Sequence, residues 1–236
     1  MTTNNTLEKE ILVEADGPLT WVTLNRPAKR NALTHGMFES LREILASEEK
    51  SSSRVIIIRG SGNHFSAGHD LTADSPEIAE PGDTLADLDR QNYYLNTYLR
   101  IFDHPKPVIA AVDGYCIAGA TQMLPFCDMV FTSHSASISA SPMLPIGGGF
   151  ITPLLAHKIG ESRAKLMSYI PGKSISGDEA VEWGLAAQSF ASENLINEVR
   201  KIAMDIARTP TSVLRMKKMS INRTLEMQGF RNYAFA

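Results

Sequence analysis

Cysteine and long apolar runs are both scarce in this chain. Cys116 and Cys127 are the two cysteines among 236 residues, too few for a disulfide framework, so we expect a reducing compartment. No apolar run approaches the roughly 18 residues that cross a membrane. Residues 1–10 are polar and acidic, unlike a secretory or transit signal. We therefore expect a cytoplasmic protein with no membrane partner.

A large charge excess and a metal-ligand cluster are also missing. The 23 lysines and arginines nearly balance 26 acidic residues, and the formal net charge of −3 argues against nucleic acid as a partner. The six histidines are scattered, with His64 and His69 as the one close pair, so we expect no metal site. Gly147–Gly149 lacks the G-x-G-x-x-G pattern of dinucleotide-binding folds, which argues against a nicotinamide or flavin cofactor.

Apolar segments of strand type alternate with segments of helical spacing. Leu19–Leu24 has the pattern of a strand, and Arg54–Arg59 and Val108–Val112 are short apolar runs typical of buried strands. Thr34 offers an N-cap to a helix, and Leu85–Phe102 also has helical spacing. This alternation predicts an α/β fold.

Two glycine-centred segments are the most informative feature. The first glycine segment is Phe-Ser-Ala-Gly-His-Asp, residues 65–70; the second is Ala-Val-Asp-Gly-Tyr-Cys-Ile-Ala-Gly, residues 111–119. Each follows or continues a β-branched run, and the small residues would let a ligand approach the backbone amides. Two amides aimed at one point would form an oxyanion hole, which stabilises charge developing on a carbonyl oxygen.

These segments, in this order and followed by Cys127-Asp128, resemble the crotonase (enoyl-CoA hydratase/isomerase) superfamily. The resemblance also covers the N-terminal motif (residues 24–33) and residues 174–184, and spans roughly residues 10–215. It implies a spiral of ββα units with a C-terminal helical region. On this reading residues 1–190 form the core and residues 191–236 a helical region that is short for the family. A homotrimer or hexamer is the expected assembly.

The resemblance also implies the ligand and the residues that hold it. The amides of His69 and Gly119 would stabilise the enolate of a coenzyme A thioester, with coenzyme A present as part of the substrate and no permanently bound cofactor. The basic cluster of the N-terminal motif, which also includes Arg30, would meet the phosphates, and the carbonyls around Ala67 would meet the adenine. The positions assigned to coenzyme A are Arg26, Ala28, Lys29, Ala67 and Asp70.

The chain departs from the family at both catalytic carboxylates. The first glutamate position is Gln122, whose amide can orient water or substrate but cannot accept a proton at physiological pH. The second falls within residues 138–143, where no acidic residue occurs. Positioned acid–base groups contribute about 10²–10⁴-fold each. Ordinary hydration of a double bond is therefore doubtful.

Three groups could replace the missing carboxylates. The His69 imidazole titrates in a suitable range, or packs inside the protein. Tyr115 could donate a hydrogen bond, although a buried structural phenol is the commoner fate. The segment 71–83 is predicted to be a mobile loop whose acidic side chains either reach the site or remain solvated: Asp74, Glu77, Glu80 and Asp83.

The preferred interpretation is an enoyl-CoA hydratase/isomerase-like lyase or isomerase, of the kind found in fatty acid metabolism, with altered proton-transfer residues. The substrate would be a small or medium acyl-CoA. Two alternatives remain open at this stage. One is a decarboxylase or hydrolase of CoA thioesters that relies on the oxyanion hole. The other is a non-catalytic acyl-CoA-binding subunit that retained the fold.

Overall fold

A computed structural model describes residues 9–71, 84–141 and 152–234 of the chain. Eight strands lie in these ranges: β1 Ile11–Asp16, β2 Leu19–Leu24, β3 Val55–Gly60, β4 Val108–Val112, β5 Tyr115–Ile117, β6 Met129–Ser133, β7 Ser137–Ser139 and β8 Gln188–Phe190. Nine helices accompany them: α1 His35–Glu48, α2 Thr84–Asp103, α3 Gly119–Met123, α4 Thr152–Ile159, α5 Glu161–Tyr169, α6 Gly177–Glu182, α7 Ser192–Ala207, α8 Thr211–Met227 and α9 Phe230–Ala234. Within the same ranges, no helix combines the length and apolar character needed to cross a bilayer.

Six strands form the main sheet in the order β1-β2-β3-β4-β6-β8. β1 and β2 are antiparallel, and every later neighbour pair is parallel. Parallel strands need crossover connections, and α1 supplies one between β2 and β3, as α2 does between β3 and β4. The predicted α/β class is confirmed.

The inner strands of the main sheet, β2, β3, β4 and β6, bury both faces. Alternate residues such as Ile56 and Ile58 face one apolar layer that also contains side chains of α1 and α2. Their neighbours Val55 and Ile57 face a second layer, covered by α7. α7 contributes one side chain per turn to this layer: Leu195, Val199, Ala203 and Ala207. The two-residue period of a strand explains this division, and it accounts for the continuous apolar runs in the sequence.

From β4 to β7, each long strand is followed by a short one. β4 is followed by β5 and then α3, and β6 is followed by β7. The short strands β5 and β7 pair in parallel as a second sheet. This repeat of strand, strand and helix confirms the predicted ββα spiral.

The helices after β8 return to the body of the protein. Phe230 of α9 is fully buried and stacks on Phe102 of α2, with ring centroids 4.4 Å apart. Lys218 of α8 reaches Asp128, with Nζ 2.8 Å from the carboxylate. The predicted helical character of residues 191–236 is confirmed over 192–207, 211–227 and 230–234. Two predicted loops, the acidic segment 72–83 and the triple glycine Gly147–Gly149, lie outside the described residues.

Candidate active site

The three motifs found in the sequence lie side by side at the ends of β2, β3 and β4. On one side, the first glycine segment pairs with the N-terminal motif. The Leu33 amide donates to the Gly68 carbonyl (2.8 Å), and the Asp70 amide donates to the Leu33 carbonyl (2.9 Å). Asn31, fully buried, adds side-chain hydrogen bonds to the carbonyls of Ser61 and His64. Segments more than thirty residues apart are thus fixed to each other through their backbones.

On its other side, the first glycine segment pairs with the second. The Ser66 amide donates to the Tyr115 carbonyl (2.9 Å), and the Ile117 amide donates to the Ser66 carbonyl (3.1 Å). Gly68 lies directly against the second glycine segment. A Cβ on this residue would lie 2.6 Å from the Ile117 carbonyl oxygen and 3.2 Å from the Gly119 nitrogen. Gly68 also has φ +89, so glycine is required here for both space and backbone conformation.

The second glycine segment turns sharply into α3. Ala118 has φ 49 and ψ −115, a conformation that costs a non-glycine residue free energy and that clusters at functional sites. Gly119 is the first residue of α3, so its amide is not needed for the hydrogen bonds within the helix. Tyr98 of α2 fixes the same residue by donating its hydroxyl to the Gly119 carbonyl (2.9 Å).

The imidazole of His69 lies directly against Gly119. A Cβ on residue 119 would be only 2.5 Å from both Cδ2 and Nε2 of the ring. The ring also stacks on Tyr94 and Phe38, with centroid distances of 4.6 and 5.6 Å. Both ring nitrogens are shielded from solvent. The imidazole therefore covers the Cα of Gly119, beside the proposed amide donors.

Burial lowers the pKa of His69 from its ordinary value of 6.5 to about 4. The positive charge of Arg90 acts in the same direction, while a hydrogen bond with the Gln122 side chain opposes both. Desolvation of the charged imidazolium is the largest cause. The ring is thus neutral at physiological pH. The hypothesis that His69 has a pKa suited to proton transfer near neutrality is wrong for this environment.

The lowered pKa of His69 predicts a loss of stability in acid. The unfolded chain protonates this residue near pH 6.5, whereas the folded chain resists until about pH 4, so stability falls as the pH drops through this interval. Between pH 7 and pH 4.5 we expect the wild type to lose about 2–3 kcal/mol more than His69→Gln. Urea unfolding of both proteins at the two pH values measures this difference. Equal losses would show that His69 titrates normally in the folded state.

The other candidates for acid–base chemistry are not carboxylates or lie beyond the described residues. Gln122 is half-buried on α3 beside His69. Cys116, within the second glycine segment, is fully buried, and burial raises the pKa of its thiol to about 12. It therefore remains protonated and is no nucleophile. Met143, in the segment of the family's second glutamate, lies outside the described residues, as do the acidic positions of the 71–83 loop.

The residues assigned to coenzyme A fall into two groups. Ala28 and Lys29 are exposed in a 3₁₀ turn over Pro27–Lys29, and Ala67 is half-buried. Arg26 and Asp70, by contrast, form an ion pair 2.8 Å long, and Arg26 also contacts Glu10 at 3.0 Å. The structure therefore brings Arg26 and Asp70 together, and their contact with coenzyme A stays a prediction.

Tyr115 is not the buried phenol that we expected. It is 37% exposed, stacks on His64 with centroids 4.5 Å apart, and lies under the Arg30 guanidinium at 5.4 Å. β5 is only three residues long, and Cys116 rather than Tyr115 faces the core. The alternation of a strand therefore turns the phenol outward.

Sequence reasoning missed the contribution of α2 and α1. Tyr94 and Tyr98 lie one turn apart on α2, so they share one face and reach His69 and Gly119 together. Phe38 of α1 packs on the same imidazole. The four-residue spacing of Tyr94 and Tyr98 could have indicated that both side chains contact the site, but the same spacing also fits an ordinary buried helix face.

The fold is an α/β spiral in which two glycine segments lie against each other. Comparison with known proteins identifies the family that has this fold. Residues 14–235 match the family model Enoyl-CoA hydratase/isomerase. The mitochondrial enoyl-CoA hydratase domain-containing protein 3 of Danio rerio is 32% identical over 231 residues, covering 95% of this chain and 77% of that protein. The 1,2-epoxyphenylacetyl-CoA isomerase of Escherichia coli (strain K12) is 32% identical over 218 residues, covering 90% and 81%.

Solved structures agree with the sequence comparisons. The crystal structure of an enoyl-CoA hydratase/isomerase from Xanthobacter autotrophicus Py2 superposes with a TM-score of 0.84 at 30% identity, covering 95% of this chain and 82% of that one. The chain belongs to the enoyl-CoA hydratase/isomerase family of the crotonase superfamily, which confirms the resemblance found in its motifs.

Proposed function

We propose that this chain binds acyl-CoA thioesters and stabilises the enolate formed from them, with the amides of His69 and Gly119 as donors to the thioester oxygen. The observation that carries the proposal is the direct packing of the two glycine segments, with Gly68 beside the Gly119 nitrogen. Backbone donors held by a rigid scaffold need no reorganisation as charge develops. Each such donor typically contributes about 3 kcal/mol to lowering the barrier.

The amides would act on the substrate in two ways. They polarise the thioester carbonyl, which acidifies the adjacent α-carbon. They then hold the oxygen of the enolate, where the negative charge accumulates. The hydrogen bonds from the N-terminal motif and from Tyr98 keep both donor segments in place, because they fix the backbone on each side of the site.

Proton transfer is where this chain differs from a standard hydratase. Hydration of an enoyl-CoA requires a base that activates water, and neither neighbour of Gly119 is suited to that role. Gln122 cannot accept a proton, and His69, with a pKa of about 4, is a weak base. The Gln122 amide, hydrogen-bonded to the imidazole, is placed to orient water or the acyl group.

Decarboxylation is a second candidate reaction, and it is favoured by Gln122, which stands at the position of the family's first glutamate. Decarboxylation needs no base: the bond between the α-carbon and the carboxylate breaks, its electron pair enters the enolate, and carbon dioxide leaves. Solvent then protonates the α-carbon. The same two amides would stabilise the intermediate.

Calorimetric titration followed by product analysis tests the proposal. We expect acetyl-CoA, crotonyl-CoA and malonyl-CoA to bind more tightly than free coenzyme A, because the thioester oxygen adds contacts to the amides. We expect slow hydration of crotonyl-CoA. The absence of any acyl-CoA binding would overturn the proposal, and so would robust hydration that persists in both Gln122→Ala and His69→Ala. Tight binding with no turnover of any of the three would support the binding-subunit alternative.

A further inference from the structure

The conformation of Ala118 decides where the Gly119 amide points. The ψ angle of residue 118 rotates the peptide plane that carries the Gly119 N–H, and its observed value is −115. Together with φ 49, this value belongs to a region that glycine enters freely and alanine avoids. Such a conformation persists only where the surrounding structure holds it. The contacts around Ala118 therefore control the direction of the proposed donor.

Hydrogen bonds from the backbone and from one threonine hold this turn. The Ala118 amide donates to the carbonyl of Ser139 on β7 (2.8 Å), and the Ala118 carbonyl accepts from the backbone amide of Gln122 (3.0 Å). The fully buried Thr121 places its hydroxyl 2.8 Å from the carbonyl oxygen of Ser139 and 2.8 Å from that of Cys116. This hydroxyl shares its hydrogen between two acceptors, and it connects β5, β7 and the first turn of α3.

We propose that Thr121 is a positioning residue, whose hydroxyl keeps Ala118 in its strained conformation and thereby directs the Gly119 amide at the thioester oxygen. The inference rests on the proposed function, because Thr121 acts through one of the two proposed donors. Without the hydroxyl, Ala118 would relax towards a conformation with negative φ, since alanine is more stable there. The peptide between residues 118 and 119 would rotate with it, and its N–H would turn away from the substrate.

A pair of ligands isolates the contact between the amides and the thioester oxygen. Acetyl-CoA carries this oxygen, whereas S-ethyl-CoA, a thioether with the same number of carbons, lacks it. Contacts to the rest of coenzyme A cancel in the ratio of the two affinities. Calorimetric titration of the full chain should show that the wild type binds acetyl-CoA about tenfold more tightly than S-ethyl-CoA, as two additional hydrogen bonds would give.

Variants at Thr121 separate positioning from stability. Thr121→Val replaces the hydroxyl by a methyl group and should reduce the affinity ratio to about threefold or less, with the affinity for S-ethyl-CoA within about twofold of wild type. Thr121→Ala replaces it if the valine methyl prevents folding. Thr121→Ser keeps the hydroxyl and should retain the wild-type ratio.

Thr132→Val is the matched control. Thr132 is also fully buried, and its hydroxyl donates to the Gly177 carbonyl (3.3 Å). This variant therefore loses a buried hydrogen bond of the same kind but should leave the affinity ratio unchanged. Thermal unfolding confirms that each variant is folded.

Ala118→Gly tests whether Thr121 acts through Ala118. Glycine adopts the observed φ and ψ without strain, so this variant should raise the midpoint of thermal unfolding by about 2–4 °C. In the Ala118→Gly background, Thr121→Val should change the affinity ratio by less than about twofold, because the conformation no longer needs the hydroxyl. An equal loss in both backgrounds would overturn the inference.

The possible failures are distinguishable. A wild-type affinity ratio near one would overturn the proposed function, and the inference would fall with it. A tenfold ratio that survives in Thr121→Val would overturn the inference and leave the proposed function intact. A loss in Thr121→Ser as large as that in Thr121→Val would also overturn the inference, since the hydroxyl would then not be the group responsible.

Discussion

Gly68→Ala should destabilise the protein by about 3 kcal/mol or more and abolish acyl-CoA binding in whatever fraction still folds. The new methyl group would lie 2.6 Å from the Ile117 carbonyl oxygen, which is backbone and cannot rotate away. The residue would also be held at φ +89, where a side chain is strained. The two glycine segments could accommodate the alanine only by moving apart, and this would separate the proposed donors.

Gly160→Ala is the control for this prediction. Gly160 has φ +83, close to the φ of Gly68, but a Cβ there would have no atom within 4 Å. Gly160→Ala should cost only the backbone strain, about 1–3 kcal/mol, and leave acyl-CoA affinity unchanged. Urea unfolding and calorimetric titration of both variants measure the difference. If Gly68→Ala behaves like Gly160→Ala in both measurements, the close contact between the segments is not essential.

Gly119→Ala should reduce turnover about 100-fold or more while the protein remains folded. Residue 119 does not have a positive φ, so alanine is compatible with the backbone. The methyl group would instead lie 2.5 Å from the His69 ring, and stacking on Tyr94 and Phe38 restricts how far the ring can retreat. The strain would therefore displace the start of α3, which carries the proposed donor.

A double-mutant cycle with His69→Ala isolates this effect. His69→Ala removes the ring but keeps the backbone amide, so the methyl group of Gly119→Ala would then find space. The alanine at residue 119 should cost at least about tenfold less turnover in the His69→Ala background than in the wild type. Turnover is measured with the acyl-CoA that the product analysis identifies. An equal loss in both backgrounds would mean that the imidazole is not the obstacle.

Features set by neighbours along the chain were predictable from the sequence. The buried strands Leu19–Leu24 and Val108–Val112 have the bounds that the sequence predicts, because short segments rich in apolar and β-branched residues fit a sheet covered on both faces. Thr34 caps α1 as expected, its side chain accepting from the Met37 amide at 3.1 Å. The helix before His104-Pro105 was also placed correctly, although it ends one residue later, at Asp103.

Features set by contacts between distant segments were not predictable. The phenol of Tyr115 is exposed although the sequence favours a buried one, because a strand of three residues is too short for its pattern to show which face is buried. The sequence pattern assigns Arg26 to the phosphates of coenzyme A, and it does not reveal the ion pair with Asp70, forty-four residues away in sequence. The contribution of Tyr98 to the site depends on how α2 crosses α3, which no local spacing reveals.

The sequence by itself determined the α/β spiral, the two glycine segments and the loss of the family's carboxylate at Gln122, since each of these is written in residue types and their order. Only the tertiary structure decided that the His69 imidazole is neutral and that Tyr94 of α2 packs on it beside Gly119. The physical reason is that a pKa and a contact depend on which groups surround a side chain in space. Burial of an imidazole against two rings from different helices arises only once the chain has folded.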